Sequence, residues 1–244
     1  MYKSWGLKNV HFWPLGSLTS LEDVADLNYN KIRNPELRNN QLVFIGGYQY
    51  HRKDRFDQLL NKFPNSFCAG SGWPLKFIDW DDMWKLYRNT QIGWNMHNSS
   101  GPINFRTYEL PAYGILQICD NKQKLGEIFE LNKEVIGFDT TQECIEATQY
   151  YLTHLEEQRE IAYAGFQRWK EEYNPDAIWS KATKIIEKYI EENSIKRQKN
   201  HSSPIILKLK IKKSIFKLRI KKEGFSVKKT FRWAKAKIKK LILN

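Results

Sequence analysis

Between Leu42 and Phe138, short apolar runs alternate with stretches whose apolar residues recur every three or four positions. The runs Leu42–Ile45 (closed by Gly46 and Gly47), one ending near Ala69, Leu75–Ile78, Ile92–Met96, Ile115–Cys119 and Glu134–Phe138 read as strands. The intervening stretches read as helices: about 52–63 with Phe56, Leu59, Leu60 and Phe63, one carrying Met83, Trp84, Leu86 and Tyr87, about 103–113, and about 125–129. A chain that alternates in this way buries its apolar surface most simply as a parallel, doubly wound α/β sheet with helices packed on it. Three more helices follow, 141–153, 156–173 and 175–192. In the last of these Asn174 suits the N-cap, Pro175 the first helical position, and Ile178, Ala182, Ile185 and Tyr189 form one stripe.

The stretch from Asn95 to Asp120 concentrates the polar chemistry. A strand enters a loop centred on Gly101, a helix carrying Arg106 and Glu109 follows, and a second strand begins near Ile115. Free backbone N–H groups at such a turn suit an anion, and Arg106 can fork onto phosphate oxygens. A carboxylate at Glu109 is useless for phosphate but suits two vicinal hydroxyls such as those of a ribose. Asn104, Arg106 and Glu109 fall within one and a half turns, which points to a nucleotide; equally, Arg106 and Glu109 at i and i+3 suit a surface ion pair. Pro111 lies inside the expected helix and predicts an early end or a kink, with Gly114 as the stop.

Charge divides the chain. Of the formal net charge of +13, the segment 195–244 carries +17 from eighteen Lys or Arg and one acid, Glu223, so residues 1–194 carry −4. Within that tail Val227, Phe231, Ala234, Ile238 and Leu241 recur at helical spacing among lysines, which predicts a basic amphipathic helix over about 226–243. Residues 205–243 suit an anionic membrane surface, where each basic residue contributes on the order of 1 kcal/mol. Few aromatics accompany the charge, which argues against nucleic acid, and a solvated tail is the plain alternative. Cys68, Cys119 and Cys144 are odd in number and set among apolar residues, as buried free thiols are. With no apolar leader after Met1, the expectation is a cytoplasmic protein held peripherally at the inner face of a membrane by its tail.

The residues Leu42-Val43-Phe44-Ile45-Gly46, Arg55 with Leu59, Leu86-Tyr87, Ile92-Gly93-Trp94-Asn95, Asn104-Phe105-Arg106-Thr107-Tyr108-Glu109 and Pro111-Ala112-Tyr113-Gly114 carry a family resemblance, continued by Phe129 with Lys133-Glu134-Val135 and by Tyr150-Tyr151-Leu152. In this order the chain resembles the CgeB-like glycosyltransferases, a GT-B branch of the group-one type, over roughly residues 8–190. The resemblance implies a Rossmann-like parallel sheet flanked by helices, the C-terminal half of a GT-B fold. It implies transfer of a sugar from a nucleotide diphosphate sugar to an unknown acceptor, with no cofactor required and no metal. On that pattern Glu109 looks like the ribose carboxylate, Arg55 and Arg106 like diphosphate cations, and Asn104, Gly46 and Gly101 like neighbours of the phosphate or sugar. Relatives that retain configuration often carry an acid eight positions before this Glu; Gly101 stands there, so retention or inversion stays open.

The resemblance also places Val10–Gly16 where such chains cross between their two halves. It divides the chain into a crossover segment (1–40), a donor-binding domain (41–194) and the tail (195–244), and it implies a separate acceptor-domain partner; a non-catalytic nucleotide-sugar-binding or regulatory module is the alternative. Asp79-Trp80-Asp81 fits both the metal-holding Asp-x-Asp pattern of GT-A enzymes and a helix cap. His97 beside the expected cleft is a candidate for proton transfer, although no acid near it in sequence is placed to orient it.

Overall fold

The structure is a computed structural model that describes residues 2–6, 10–11, 13–34, 37–98, 104–120 and 122–200. The chain divides into two compact units, 1–190 and 191–244. The expected amphipathic helix and membrane-binding segment of the tail lie outside the described residues; of the second unit only 191–200 is described, and it is helical.

The first unit is built on five parallel strands: β1 (Asn40–Ile45), β2 (Phe67–Ala69), β3 (Thr90–Asn95), β4 (Leu116–Cys119) and β5 (Ile136–Gly137). Their spatial order is β2-β1-β3-β4-β5, and every pairing is parallel. The predicted Rossmann-like α/β sheet is therefore the one observed. β3 and β4 are buried along nearly their whole length, as strands covered on both faces must be.

Helices α1 (Tyr29–Arg33), α2 (Lys53–Lys62), α3 (Trp80–Arg88), α4 (Arg106–Ala112), α5 (Lys122–Leu125), α6 (Thr141–Thr153), α7 (Leu155–Glu172) and α8 (Pro175–Asn200) complete the fold. α2 packs with α6, while α4 and α1 pack against α7. Gly93 lets α4 lie close on β3, because a Cβ there would stand 2.6 Å from the Leu110 side chain. Asn174 caps α8 as expected, its Oδ1 accepting from Ala177 N–H at 3.1 Å.

Two local expectations are corrected. Leu75–Ile78 is not a strand; only Leu75 makes an isolated bridge, to Ala69. Leu75 and Phe77 are exposed, so this apolar run lacks the burial that would hold it in the sheet. Pro111 does not end its helix early: α4 continues to Ala112. The N–H that proline lacks would have served the Thr107 carbonyl, and the Gln117 side-chain amide donates there instead, at 3.2 Å. With that acceptor satisfied, the helix keeps its last turn.

Candidate functional site

β1 leads to β2 on one side and β3 begins on the other, so the sheet reverses its direction of growth between β1 and β3. At such a switch point the loops leaving the carboxyl ends of the strands diverge and leave a crevice. Here that crevice is a cleft of about 390 Å³. One wall is apolar and aromatic: Leu18, Ile45, Met83 and Tyr87, with Trp80 and Phe105 at 56% and 45% exposure. The other is polar: His97, Asn98, Asn104, Arg106 and Glu109.

Arg106 forms part of the floor between the two strand ends. It donates to Ile45 O (2.5 Å), Met96 O (3.0 Å) and Asn95 Oδ1 (3.2 Å), and its guanidinium lies 4.5 Å from the centre of the Phe44 ring. Burial pushes its pKa down, and no carboxylate pairs with it among the described residues. Gly46 explains the fit, because any Cβ at that position would collide with the Arg106 guanidinium. The part Gly46 plays is thus to admit the cation. Beside it Arg52, only 2% exposed, donates to the same Met96 carbonyl at 2.6 Å and to Gly47 O. Burial and the charge of Arg106 push its pKa down to about 10. Two guanidiniums thus converge on one carbonyl at the switch point, a concentration of positive charge suited to an anion.

Glu109 is 4% exposed and does not pair with Arg106. Its carboxylate turns toward the segment before α1 and accepts from Leu18 N–H and Thr19 Oγ1–H, both at 2.5 Å. Burial raises its pKa, and these hydrogen bonds act in the opposite direction. Each carboxylate oxygen has two lone pairs, so the group ties the preceding segment to the domain and keeps acceptor capacity. Asn104 serves the local fold: its Oδ1 accepts from Thr107 N–H (3.0 Å) and its amide donates to Asn95 Oδ1 (2.9 Å).

The structure therefore brings Glu109, Arg106, Asn104 and His97 to one cleft, with Gly46 set against Arg106 beside it. Arg55 does not line it; the side chain is 44% exposed on α2 and stands 3.7 Å from Asp120. Gly101 lies outside the described residues. For His97 the expectation that no acid orients it is corrected. Asp120, at the end of β4, lies 2.6 Å from His97 Nδ1 and also accepts the His97 backbone N–H at 3.1 and 3.2 Å. These partners are 23 positions apart, and parallel register at Asn95 and Cys119 makes them neighbours. The sequence signal was an acid directly after an apolar strand, which acquires meaning only once the strand order is known. Arg52 was missed in favour of Arg55 for a similar reason, since spacing alone does not separate a buried from an exposed side chain on the same turn.

His97, Cys119 and Asp120 hold their ligand-type atoms within 4.8 Å of one another. As a metal site the set is poorly disposed: Asp120 is already engaged by His97 and Arg55, and burial holds the Cys119 thiol far above its usual range. The acidic run at Asp79 is a cap, its Oδ1 accepting from Asp82 N–H at 2.9 Å at the start of α3.

Residues 52–184 match the family described as glycosyl transferase-like. The chain belongs to that family. The chain is similar to several solved structures. The C-terminal domain of a glycosyl transferase group 1 family protein (LpcC) from Francisella tularensis is 15% identical over 70% of this chain and 100% of its own, with a TM-score of 0.47. An alpha-glucosyltransferase solved in complex with UDP-glucose and abasic-site DNA is 11% identical over 66% of this chain and 56% of its own, TM-score 0.49. Sucrose-phosphate synthase from Thermosynechococcus elongatus is 14% identical over 74% of this chain and 50% of its own, TM-score 0.47. The chain thus spans the whole of the first and about half the length of the other two. No match was found among curated proteins.

Proposed function

We propose that the chain is the donor-binding, C-terminal-type half of a GT-B glycosyltransferase of the CgeB-like branch, taking a nucleotide diphosphate sugar into the cleft between β1 and β3. Arg106 faces the diphosphate with Arg52 behind it, Asn104 and the neighbouring backbone take the adjoining phosphate or sugar oxygens, and Glu109 accepts from the ribose hydroxyls. The reaction is transfer of the sugar to an acceptor presented by a second, acceptor-binding half. The observation that carries the reading is the cleft itself: the switch point of a glycosyltransferase-family domain is lined by a guanidinium without a carboxylate partner among the described residues and, three positions further along the same helix, by a buried carboxylate.

The test is a calorimetric titration of the full chain with UDP-, GDP- and dTDP-linked sugars, repeated on Glu109→Ala. Saturable binding of one class, weakened in the variant, supports the assignment; equal affinity in both proteins removes Glu109 from the ribose. For the tail, the reading is a peripheral anchor on anionic lipid at the inner face of a membrane. Co-sedimentation with vesicles containing phosphatidylserine, lost on truncation after residue 200, supports it, and retention on DNA without vesicle binding overturns it.

A further inference from the structure

We propose that His97 is a proton-coupled contact for the donor: the imidazole takes up a proton as the diphosphate enters the cleft, donating from Nδ1 to Asp120 and from Nε2 to a phosphate oxygen. The inference rests on the donor-binding reading above and adds to it a residue and a linkage.

His97 follows β3 directly at the switch point, lines the cleft and has a side chain only 2% exposed. One ring nitrogen is committed, since Nδ1 lies 2.6 Å from a carboxylate that also holds the residue's own backbone N–H. An ionised carboxylate only accepts, so this nitrogen carries the proton. The ring is thereby fixed in orientation and in tautomer, as a histidine backed by a carboxylate is. Nε2 is left with Thr107 Oγ1 at 3.4 Å, a long contact.

In the neutral ring Nε2 therefore presents a lone pair, which repels a phosphate oxygen; in the protonated ring it presents an N–H, which binds one. Asp120 already stands on the far side of the ring to balance the imidazolium. The charged and titratable groups around the ring come from every packed element: Asp120 and Cys119 at the end of β4, Arg52 just before α2 donating to the adjoining Met96 carbonyl, Arg55 on α2 reaching Asp120, and Arg106 and Glu109 on α4. A diphosphate diester carries two negative charges and has no proton of its own to release near neutral pH, so the bound state gains one proton, drawn from solvent onto Nε2, with no other bond changed.

Titration of the full chain with UDP-, GDP- and dTDP-glucose at about pH 8, in two buffers of different ionisation enthalpy, counts that proton directly in the wild-type protein. The expected result is net proton uptake on donor binding, with affinity that weakens as the pH is raised. His97→Gln and Asp120→Asn abolish the uptake and flatten the pH dependence. Donor binding with no proton uptake, or uptake that persists in His97→Gln, overturns the proposal and leaves the donor cleft standing. Absence of binding by all three donors at every pH takes down the cleft assignment itself, and this proposal with it.

Discussion

Arg38 and Arg106 lie at opposite ends of one sheet, and neither forms an ion pair among the described residues. At the amino end of the strands Arg38 donates to Thr90 O at 2.6 Å and Tyr113 O at 2.7 Å, and burial pushes its pKa down to about 10. At the carboxyl end Arg106 donates to Ile45 O and Met96 O. Backbone carbonyls meet the cost of enclosing the cation in both places. What differs is the ground around them. Arg38 is closed in beside Ile32 of α1 and Gly114, whereas Arg106 stands where the chain leaves β1 and β3 in opposite directions and opens a cleft. The same side chain is a tie at one end and a wall of the site at the other, and topology makes the difference.

The largest effect that tests this contrast is Arg38→Met. Stranding two buried carbonyls is predicted to cost about 2–4 kcal/mol, a fall in melting temperature of roughly 5–15 °C, with donor affinity of the folded protein unchanged. Loss of donor affinity there without loss of stability would erase the distinction. Arg106→Met is predicted to reverse the pattern, with donor affinity down about 30-fold, some 2 kcal/mol, and a smaller shift in melting. Calorimetric titration beside thermal denaturation reads both quantities.

Glu109 belongs with the upper end and has a pH signature. Burial raises its pKa, so the native state holds this proton to higher pH than the unfolded chain does. Its contribution to stability is therefore complete at low pH and declines as pH rises from the ordinary Glu value through the raised one. Glu109→Gln is predicted to flatten that part of the melting curve against pH and to weaken donor binding about tenfold, about 1.4 kcal/mol. A steeper pH dependence in the variant contradicts the burial argument. Thr19→Val removes one of the two hydrogen bonds holding this carboxylate and is predicted to cost about 1 kcal/mol of stability by denaturant titration. Smallest is Asp79→Ala, which loses the cap of α3 for about 0.5–1 kcal/mol. Donor binding in that variant is predicted to be indifferent to added Mn²⁺, whereas a metal requirement abolished by the substitution would restore the Asp-x-Asp reading.

Much of the sheet was legible because each strand between Leu42 and Cys119 is an apolar run set off by polar turns, a pattern that survives without knowledge of neighbours. The Leu75–Ile78 run looked the same and is no strand, since apolarity makes a strand only where a partner and burial are available. In the site, Glu109 and Arg106 stood out through their spacing from each other, and the surface ion pair that was the alternative reading does not form. Arg106 turns to the strand ends and Glu109 to Thr19, ninety positions earlier. Proline chemistry was likewise read one step short, because Gln117, which takes the carbonyl left by Pro111, lies on the next strand.

By itself the sequence determined the α/β class, the parallel alternation, the charge boundary before the tail and the cluster of residues around Asn104 to Gly114. Each of these is a property of composition or of spacing within about twenty residues, where local preference and hydrophobic period act directly. Only the tertiary structure decided that the sheet turns between β1 and β3, that Asp120 backs His97, that Arg52 rather than Arg55 lies under the cleft floor, and which partner each buried charge takes. Those outcomes depend on which strands become neighbours, and desolvation then selects partners by distance in space, a quantity that spacing along the chain does not contain.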